Sequence, residues 1–126
     1  MVSHHTYAMD DRQIECLAKN VYFEARGEPE KGQLAVAHVV LNRIRSNDYP
    51  SNICDVVYQP NQFNWTSKHK VKINDWSLFY SIKDLVTHVI MNKSIDPTNG
   101  ALYFRHKKLR LKSKKSIVIG NHIFYT

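Results

Sequence analysis

The chain has 126 residues, a net charge of +7 and a pI near 9.5. Its 43% hydrophobic and 23% charged residues are typical of a globular domain and exclude a disordered chain. The length predicts a single domain over residues 1–126, and no apolar run reaches the roughly 18 residues that span a bilayer. The cationic excess favours polyanionic partners, such as nucleic acid, an anionic membrane surface or an anionic cell-wall polymer.

Residues 1–9 are predicted to be a loose lead-in, and they lack the basic and then apolar pattern of a secretory signal. A first helix is predicted to begin at Asp10 or Asp11, because either carboxylate can cap it. Apolar residues then recur at helical spacing as far as Ala25, and Gly27 is predicted to end the helix.

Two further helices are predicted. The second begins near Pro29 and is apolar on almost every side over residues 34–41, which indicates a central, buried helix. The polar and aromatic segment at 59–70, QPNQFNWTSKHK, is predicted to be an extended surface loop. Asp75 then caps a third helix, whose apolar positions continue to Ile90.

The periodicity changes to two after the turn sequence DPTNG at 96–100. Alternation around Leu102 and Phe104, and on both sides of Gly120-Asn121, predicts a small antiparallel sheet with a tight hairpin. The expected fold class is therefore α+β with helices dominant. The two cysteines form no framework pattern; Cys16 is interpreted as a small buried residue, and a bridge to Cys54 stays open.

The segment YFEARGE raises the question of which glutamate, if either, does chemistry. Glu24 lies beside the apolar stripe in the last turn of the first helix, where desolvation and the helix dipole both favour a protonated carboxyl. Glu28 lies beyond Gly27 at the start of the next helix, where the dipole stabilises a carboxylate. Opposite environments of this kind are typical of acid/base assignments, although two surface or capping carboxylates would give the same spacing.

The chain resembles the SleB/CwlJ cell-wall hydrolase family in order over most of its length. The resemblance is carried by VYFEARGEPEKGQLAVAHVVLNRI, VVYQPNQFNW, DPTNGALYF and IGNHIFY. It implies a lysozyme-like or lytic-transglycosylase-like fold and places the family's catalytic glutamate at Glu24. The implied reaction is cleavage of the β-1,4 bond between N-acetylmuramic acid and N-acetylglucosamine in peptidoglycan.

In a lytic transglycosylase, one glutamate suffices, because the muramoyl 6-hydroxyl attacks and a 1,6-anhydro end forms. A hydrolytic muramidase would instead need a second carboxylate roughly 5–10 Å away. Four acidic residues are available for that role, but no motif favours any of them: Glu28, Asp48, Asp55 and Asp96. For Glu28 a supporting role is favoured over a catalytic one, and Asp96 is expected to tie the DPTNG turn.

Aromatic and polar residues that flank the motif are candidates for a glycan groove, since sugars stack on aromatic rings. The candidate substrate-binding or supporting residues are Glu28, Gln62, Phe63, Trp65, Tyr103, His122 and Tyr125. For Phe63 and Tyr125 a core position is an open alternative, and Arg43 is expected to anchor a buried polar network. The seven histidines show no metal-ligand spacing, so neither a metal nor a cofactor is predicted.

The basic segment RHKKLRLKSKK has no aromatic residue, unlike the corresponding loop of the family. It predicts either a solvated charge run or attachment to anionic envelope polymers through Lys107, Lys108, Arg110, Lys112, Lys114 and Lys115. No specific nucleic-acid partner is expected. The protein is expected to be a monomer. The cationic, signal-free sequence suits a phage endolysin that stays in the host cytoplasm until a holin pore releases it. The remaining alternative is a non-enzymatic cationic binding protein.

Overall fold

The computed structural model describes residues 10–109 and 115–126; the lead-in at 1–9 and Arg110, Lys112 and Lys114 of the basic segment lie outside these ranges. Its helices are α1 (Asp11–Ala25), α2 (Glu30–Arg45), α3 (Ile53–Val57), a 3-10 helix (Asn64–Ser67) and α4 (Trp76–Ile90). Its strands are β1 (Tyr103–His106), β2 (Ser116–Ile119) and β3 (His122–Tyr125). The predicted α+β class is confirmed.

The helix starts follow from their capping residues. The Asp10 side chain accepts a hydrogen bond from the Arg12 amide, and the Asp75 side chain accepts one from the Leu78 amide. Each cap satisfies an amide that has no partner within its own helix. Both predicted N-termini are therefore confirmed, and α1 ends at Ala25, just before Gly27.

Helix α2 is central, as its apolar pattern predicts. Its fully buried residues include Ala35, Val36, Ala37, Val39 and Val40. Helix α1 packs against α2, α3 and α4, and the sheet lies against α2. No helix in the described part of the chain has the length and apolar character required to cross a bilayer.

The segment between α2 and α4 is more structured than the extended surface loop that its sequence predicts. It contains α3 and the 3-10 helix, and the side chains of Phe63 and Trp65 are only 4% and 9% exposed. The loop prediction is wrong at these two residues because their rings find apolar neighbours and Trp65 finds a partner for its indole N–H. The polar composition of this segment therefore did not reveal that Phe63 and Trp65 are buried.

A disulfide joins Cys16 of α1 to Cys54 of α3 across 38 residues of sequence. Cys16 is buried, as its sequence context predicts, and the bridge to Cys54 that the sequence left open is formed. Helix α3 packs directly on α1, and this packing brings the two cysteines within bonding range. The spacing of the cysteines in the sequence does not predict the bond.

The sheet has the order β1-β3-β2, and both pairings are antiparallel. Strand β3 pairs with β1 from Tyr103 opposite Tyr125, and with β2 from Ile119 opposite His122. The hairpin between β2 and β3 turns at Gly120-Asn121, as predicted, with Gly120 at a φ of +60°.

Two residues near the end of α2 fasten the sheet to the helices. The Asn42 amide donates to Asp96 and to the Ala101 carbonyl, and Arg43 Nε donates to the Leu102 carbonyl at 2.8 Å. Asp96 in turn accepts bonds from Thr98 and from the Gly100 amide. The predicted turn role of Asp96 is confirmed, and Arg43 is buried and anchored to the backbone before β1.

Candidate active site

Glu24 lies in the last turn of α1 and is partly buried. Burial raises the pKa of its carboxyl, and desolvation is the one cause of this shift. Among the described residues, no ion pair holds the carboxyl. The helix dipole acts in the same direction, because its negative end lies at Ala25. The site thus keeps one carboxyl protonated more readily than an exposed glutamate, which is the property of a general acid.

Glu28 has the opposite environment. Its side chain is 8% exposed, and its two carboxylate oxygens accept from the amide and side chain of Asn121 at 2.8 and 3.0 Å. Burial by itself raises the pKa of Glu28, but the Asn121 bonds and the nearby His122 and His106 outweigh it and the pKa is lowered. Glu28 is therefore an ionised clamp between the start of α2 and the hairpin turn.

Gly32 and Gln33, which follow Glu28 in the motif, pack around the Glu28 clamp. A Cβ added at Gly32 would lie 3.0 Å from Glu28 Cβ, so Gly32 provides the room in which the Glu28 side chain lies. Gln33 reaches back with long hydrogen bonds to the carbonyls of Ala25 and Glu28. Gln33 therefore ties the start of α2 to the end of α1, the helix that carries Glu24.

His122, a predicted supporting residue, lies against the same clamp. Its Nδ1 is 3.9 Å from Glu28 Oε1, and its ring packs edge-on against Phe104 at 5.0 Å between centroids. Burial lowers the pKa of His122 and Glu28 partly opposes that shift, so the neutral imidazole is favoured. Nδ1 is buried and has no hydrogen-bond partner among the described residues.

Asn20 is a candidate site residue that sequence reasoning did not identify. It is fully buried one turn before Glu24 on α1, and its Oδ1 accepts a 2.8 Å hydrogen bond from the indole N–H of Trp65. Its Nδ2 is buried without a partner among the described residues. Residues four apart share a helix face, so Asn20 lies on the side of α1 from which Glu24 projects. A polar residue within an apolar stripe was the available signal.

The other predicted groove residues lie partly at the surface and partly in the core. Tyr103 is exposed and stacks on Tyr125 with ring centroids 5.4 Å apart, while Phe63 is a core residue. The buried Arg43 guanidinium lies over Tyr103 and Phe63, at 5.7 and 5.4 Å from the ring centroids. Gln62 is exposed. Arg43 thus links the tyrosine pair to the core, whereas Gln62 stands outside this cluster.

The Glu28 clamp predicts a specific cost for Gly120→Ala. A Cβ at Gly120 would collide with Glu28 Oε1, and the positive φ disfavours any L side chain. We expect the variant to lose at least about 2 kcal/mol of unfolding free energy, since left-handed backbone alone costs about 1–2 kcal/mol. Urea denaturation measures this loss.

Gly100→Ala is the matched control for that substitution. Gly100 also has a positive φ, of +85°, but nothing lies within 4 Å of the added Cβ. Gly100→Ala should therefore lose only the free energy that a left-handed backbone costs an alanine. Equal losses for the two variants would contradict a clamp at Gly120.

The remaining carboxylates considered for a second catalytic role are mostly engaged elsewhere. The Asp55 carboxylate accepts a hydrogen bond from the Asn52 side chain, whose oxygen in turn accepts from the Asp55 amide, and Asp96 accepts the bonds of its own turn. Asp48 is exposed on the loop after α2. Within residues 10–109 and 115–126, no group of three or more histidine, cysteine or acidic side chains is placed to hold a metal ion.

The described part of the basic segment lies on the surface. Lys107 and Lys108 are exposed just after β1, Leu109 beside them is also exposed, and Lys115 directly precedes β2. Attachment of the basic segment to anionic polymers stays a prediction.

A mainly helical domain with a small antiparallel sheet, and a desolvated glutamate ending its first helix, belongs to the lysozyme-like class. The sequence profile of one family, described as Cell Wall Hydrolase, matches residues 27–125. The chain belongs to this family, as the sequence resemblance predicts.

Relatives extend the match to the N-terminal side of that range. The chain is 32% identical over 121 residues to a spore cortex-lytic enzyme of Halalkalibacterium halodurans, covering 90% of this chain and 34% of that protein. It is 31% identical over 128 residues to one of Bacillus cereus, covering 94% and 45%. Such coverage leaves few residues unaligned, so Glu24 lies inside both matches. The chain spans between a third and a half of these relatives' length.

Solved structures agree with the fold. The catalytic domain of the germination-specific lytic transglycosylase SleB from Bacillus anthracis is 32% identical, with a TM-score of 0.71 over 93% of this chain and 96% of that one. The catalytic domain of the Bacillus cereus SleB protein gives the same identity and TM-score over 93% and 91%. The predicted lysozyme-like architecture is confirmed.

Proposed function

We propose that this chain is a peptidoglycan-cleaving enzyme that acts on the β-1,4 bond between N-acetylmuramic acid and N-acetylglucosamine as a lytic transglycosylase. The observation that carries the proposal is the contrast within one motif. Glu24 is desolvated with its pKa raised, whereas Glu28 is ionised and both its oxygens are bonded to Asn121. The similarity to a solved lytic transglycosylase domain supports the same reaction class.

The reaction needs one carboxyl in two protonation states. Protonated Glu24 donates its proton to the glycosidic oxygen, and the bond from muramoyl C1 to that oxygen breaks as positive charge develops on the ring. The muramoyl 6-hydroxyl then bonds to C1, and its proton returns to ionised Glu24. No water is consumed, the product has a 1,6-anhydro end, and the intramolecular attack gains the advantage of a reactant already held in place.

A hydrolytic muramidase of the same fold is the alternative reaction. It would need a second carboxylate to activate water or stabilise the sugar cation, and the carboxylates of Glu28, Asp55 and Asp96 each accept hydrogen bonds. Mass spectrometry of muropeptides released from purified sacculi separates the two reactions. Anhydro ends, lighter by one water than reducing ends, are expected; reducing ends throughout would overturn the transglycosylase assignment.

We also propose that the enzyme serves as an endolysin that reaches the wall through a membrane pore. The net charge of +7 supports attraction to the anionic envelope once the protein is released. The test is expression in a bacterial host with and without a separately induced pore-forming protein. Culture lysis that requires both proteins is expected; lysis by the enzyme alone would contradict dependence on a pore.

A further inference from the structure

A cavity of about 570 Å³ opens on the outer face of α1, away from Glu24. Glu15, Lys19 and Phe23, one helical turn apart, form one wall, and the coil from Lys68 to Ile73 forms the other. We name this cavity the α1 outer groove. Glu24 does not line it: at 100° per residue, its side chain projects roughly 140° from the middle of that wall.

Aromatic rings form much of the surface of the α1 outer groove. Trp65 contacts Phe23 and Tyr58, with ring centroids 5.0 and 5.5 Å apart. Tyr58 and Trp76 also line the groove, and they are 46% and 53% exposed. Contiguous apolar surface that is rimmed by polar side chains is typical of a ligand-binding groove. The rings provide flat, electron-rich faces on which the C–H groups of a sugar ring can stack.

The charged residues of the groove are mainly cations. Its one acidic lining residue, Glu15, is already within 3.8 Å of Lys19 and of Lys83. Among the described residues, neither Lys68 nor Lys72 has a carboxylate within 4 Å. The groove therefore presents unpaired positive charge beside aromatic faces, and its complement is a sugar polymer that carries carboxylates.

We propose that the α1 outer groove is a second, non-catalytic binding site for peptidoglycan. A sugar ring of the glycan stacks on Tyr58 and Trp76, and carboxylates of its peptide stem bind Lys68 and Lys72. This inference rests on the proposed function, which makes the wall glycan the substrate. Trp65 connects the two sites, because it lines the groove with one edge while its indole N–H holds Asn20 one turn before Glu24.

A second site on the same polymer has a clear use. The sacculus is a continuous network, so a segment held in the groove keeps neighbouring segments close to Glu24 after each cleavage. Such linkage raises the effective concentration of the substrate without any new contact at the reacting bond. A single-stranded nucleic acid also combines stacking faces with negative charge, and it is treated as a competing outcome in the test.

The test measures binding without cleavage. Every variant is made in a Glu24→Gln background, and its co-sedimentation with purified sacculi is followed as salt is raised. Lys68→Gln with Lys72→Gln is expected to weaken binding roughly three- to tenfold at low salt and to flatten the salt dependence. Trp76→Ala is expected to weaken it about fivefold, with the loss persisting at high salt.

Matched controls lie outside the groove. Lys31→Gln with Lys93→Gln removes the same charge from two exposed lysines elsewhere, and Ile95→Ala removes an exposed apolar side chain that does not line the groove. Thermal melts establish that each variant is folded. Groove variants that bind as well as these controls would overturn the proposal.

Treated sacculi identify the ligand chemistry. Removal of the peptide stems with an amidase should abolish the contribution of Lys68 and Lys72 to sacculus binding. Removal of wall phosphate polymers with hydrofluoric acid should leave that contribution unchanged. Loss of binding after hydrofluoric acid, or equal competition by a single-stranded oligonucleotide, would overturn the assignment to stem carboxylates. Groove-dependent sedimentation together with a wild type that cleaves nothing would overturn the proposed function and leave the binding site standing.

Discussion

Replacing Glu24 by glutamine is expected to lower the rate of sacculus lysis by a factor of about 10²–10⁴, the usual contribution of a positioned general acid. Glutamine keeps the size of the side chain but has no proton to give the glycosidic oxygen and cannot recover one from the 6-hydroxyl. The measurement is the loss of turbidity of purified sacculi. Glu30→Gln, at an exposed acidic position in the first turn of α2, is the matched control and should lyse normally.

Glu24→Gln is also expected to raise the stability of the protein at neutral pH, although it lowers the rate of lysis. Because burial raises the pKa of Glu24, the folded protein binds this proton more tightly than the unfolded chain. Wild-type stability therefore falls as the pH rises from the ordinary glutamate range through the raised pKa. Glu24→Gln removes that loss, so it should melt at a higher temperature than the wild type at neutral pH.

Activity should follow the same proton. Lysis needs the acid form of Glu24, so the rate is expected to decline as the pH rises through the raised pKa. A Glu24→Gln variant that lyses sacculi at the wild-type rate would contradict the proposed mechanism. One that is inactive and also less stable at neutral pH would contradict the assignment of a desolvated carboxyl.

Reduction of the Cys16–Cys54 disulfide is expected to produce the largest loss of stability. The bridge closes a loop across 38 residues, and cross-links of that length stabilise by about 3–4 kcal/mol through restriction of the unfolded chain. For a domain of this size the melting temperature should fall by roughly 10–15 °C. Calorimetry with and without a thiol reductant measures the shift.

A double variant, Cys16→Ala with Cys54→Ala, separates the bridge from other effects of the reductant. It should melt near the reduced wild type and should not respond to reductant. A wild type whose oxidised and reduced forms melt together would show that the bridge contributes little. Since disulfides persist mainly outside reducing compartments, the proposed release from the host cytoplasm would favour the oxidised form.

Most of the secondary structure is predictable because it depends on local signals. Asp10 and Asp75 sit immediately before apolar periodic runs, and Gly120-Asn121 separates two alternating segments. Caps, turns and amphipathic faces are decided within a few residues, so the sequence displays them. The opposed environments of Glu24 and Glu28 are predictable for the same reason, since a helix end and a helix start lie four residues apart.

Long-range pairings could not be predicted in this way. The bonds from Asn121 to Glu28 cross 93 residues, and the bond from Trp65 to Asn20 crosses 45. The bridge between Cys16 and Cys54 is another case. In each the partners are ordinary residues in their own segments, and only the packing of α3, the QFNW segment and the hairpin against the helices brings them together. Family resemblance locates Glu24 but says nothing of these contacts.

The order of the strands has a consequence for how the protein is made. Strands β1 and β2 do not pair with each other, because β3 lies between them, and β3 is the last of the three to leave the ribosome. The helices, including the one that carries Glu24, can form earlier in synthesis. The sheet and its clamp on Glu28 must wait until residues 121–125 are available. Completion of this corner of the site is thus expected late in folding, because its contacts join residues far apart in sequence.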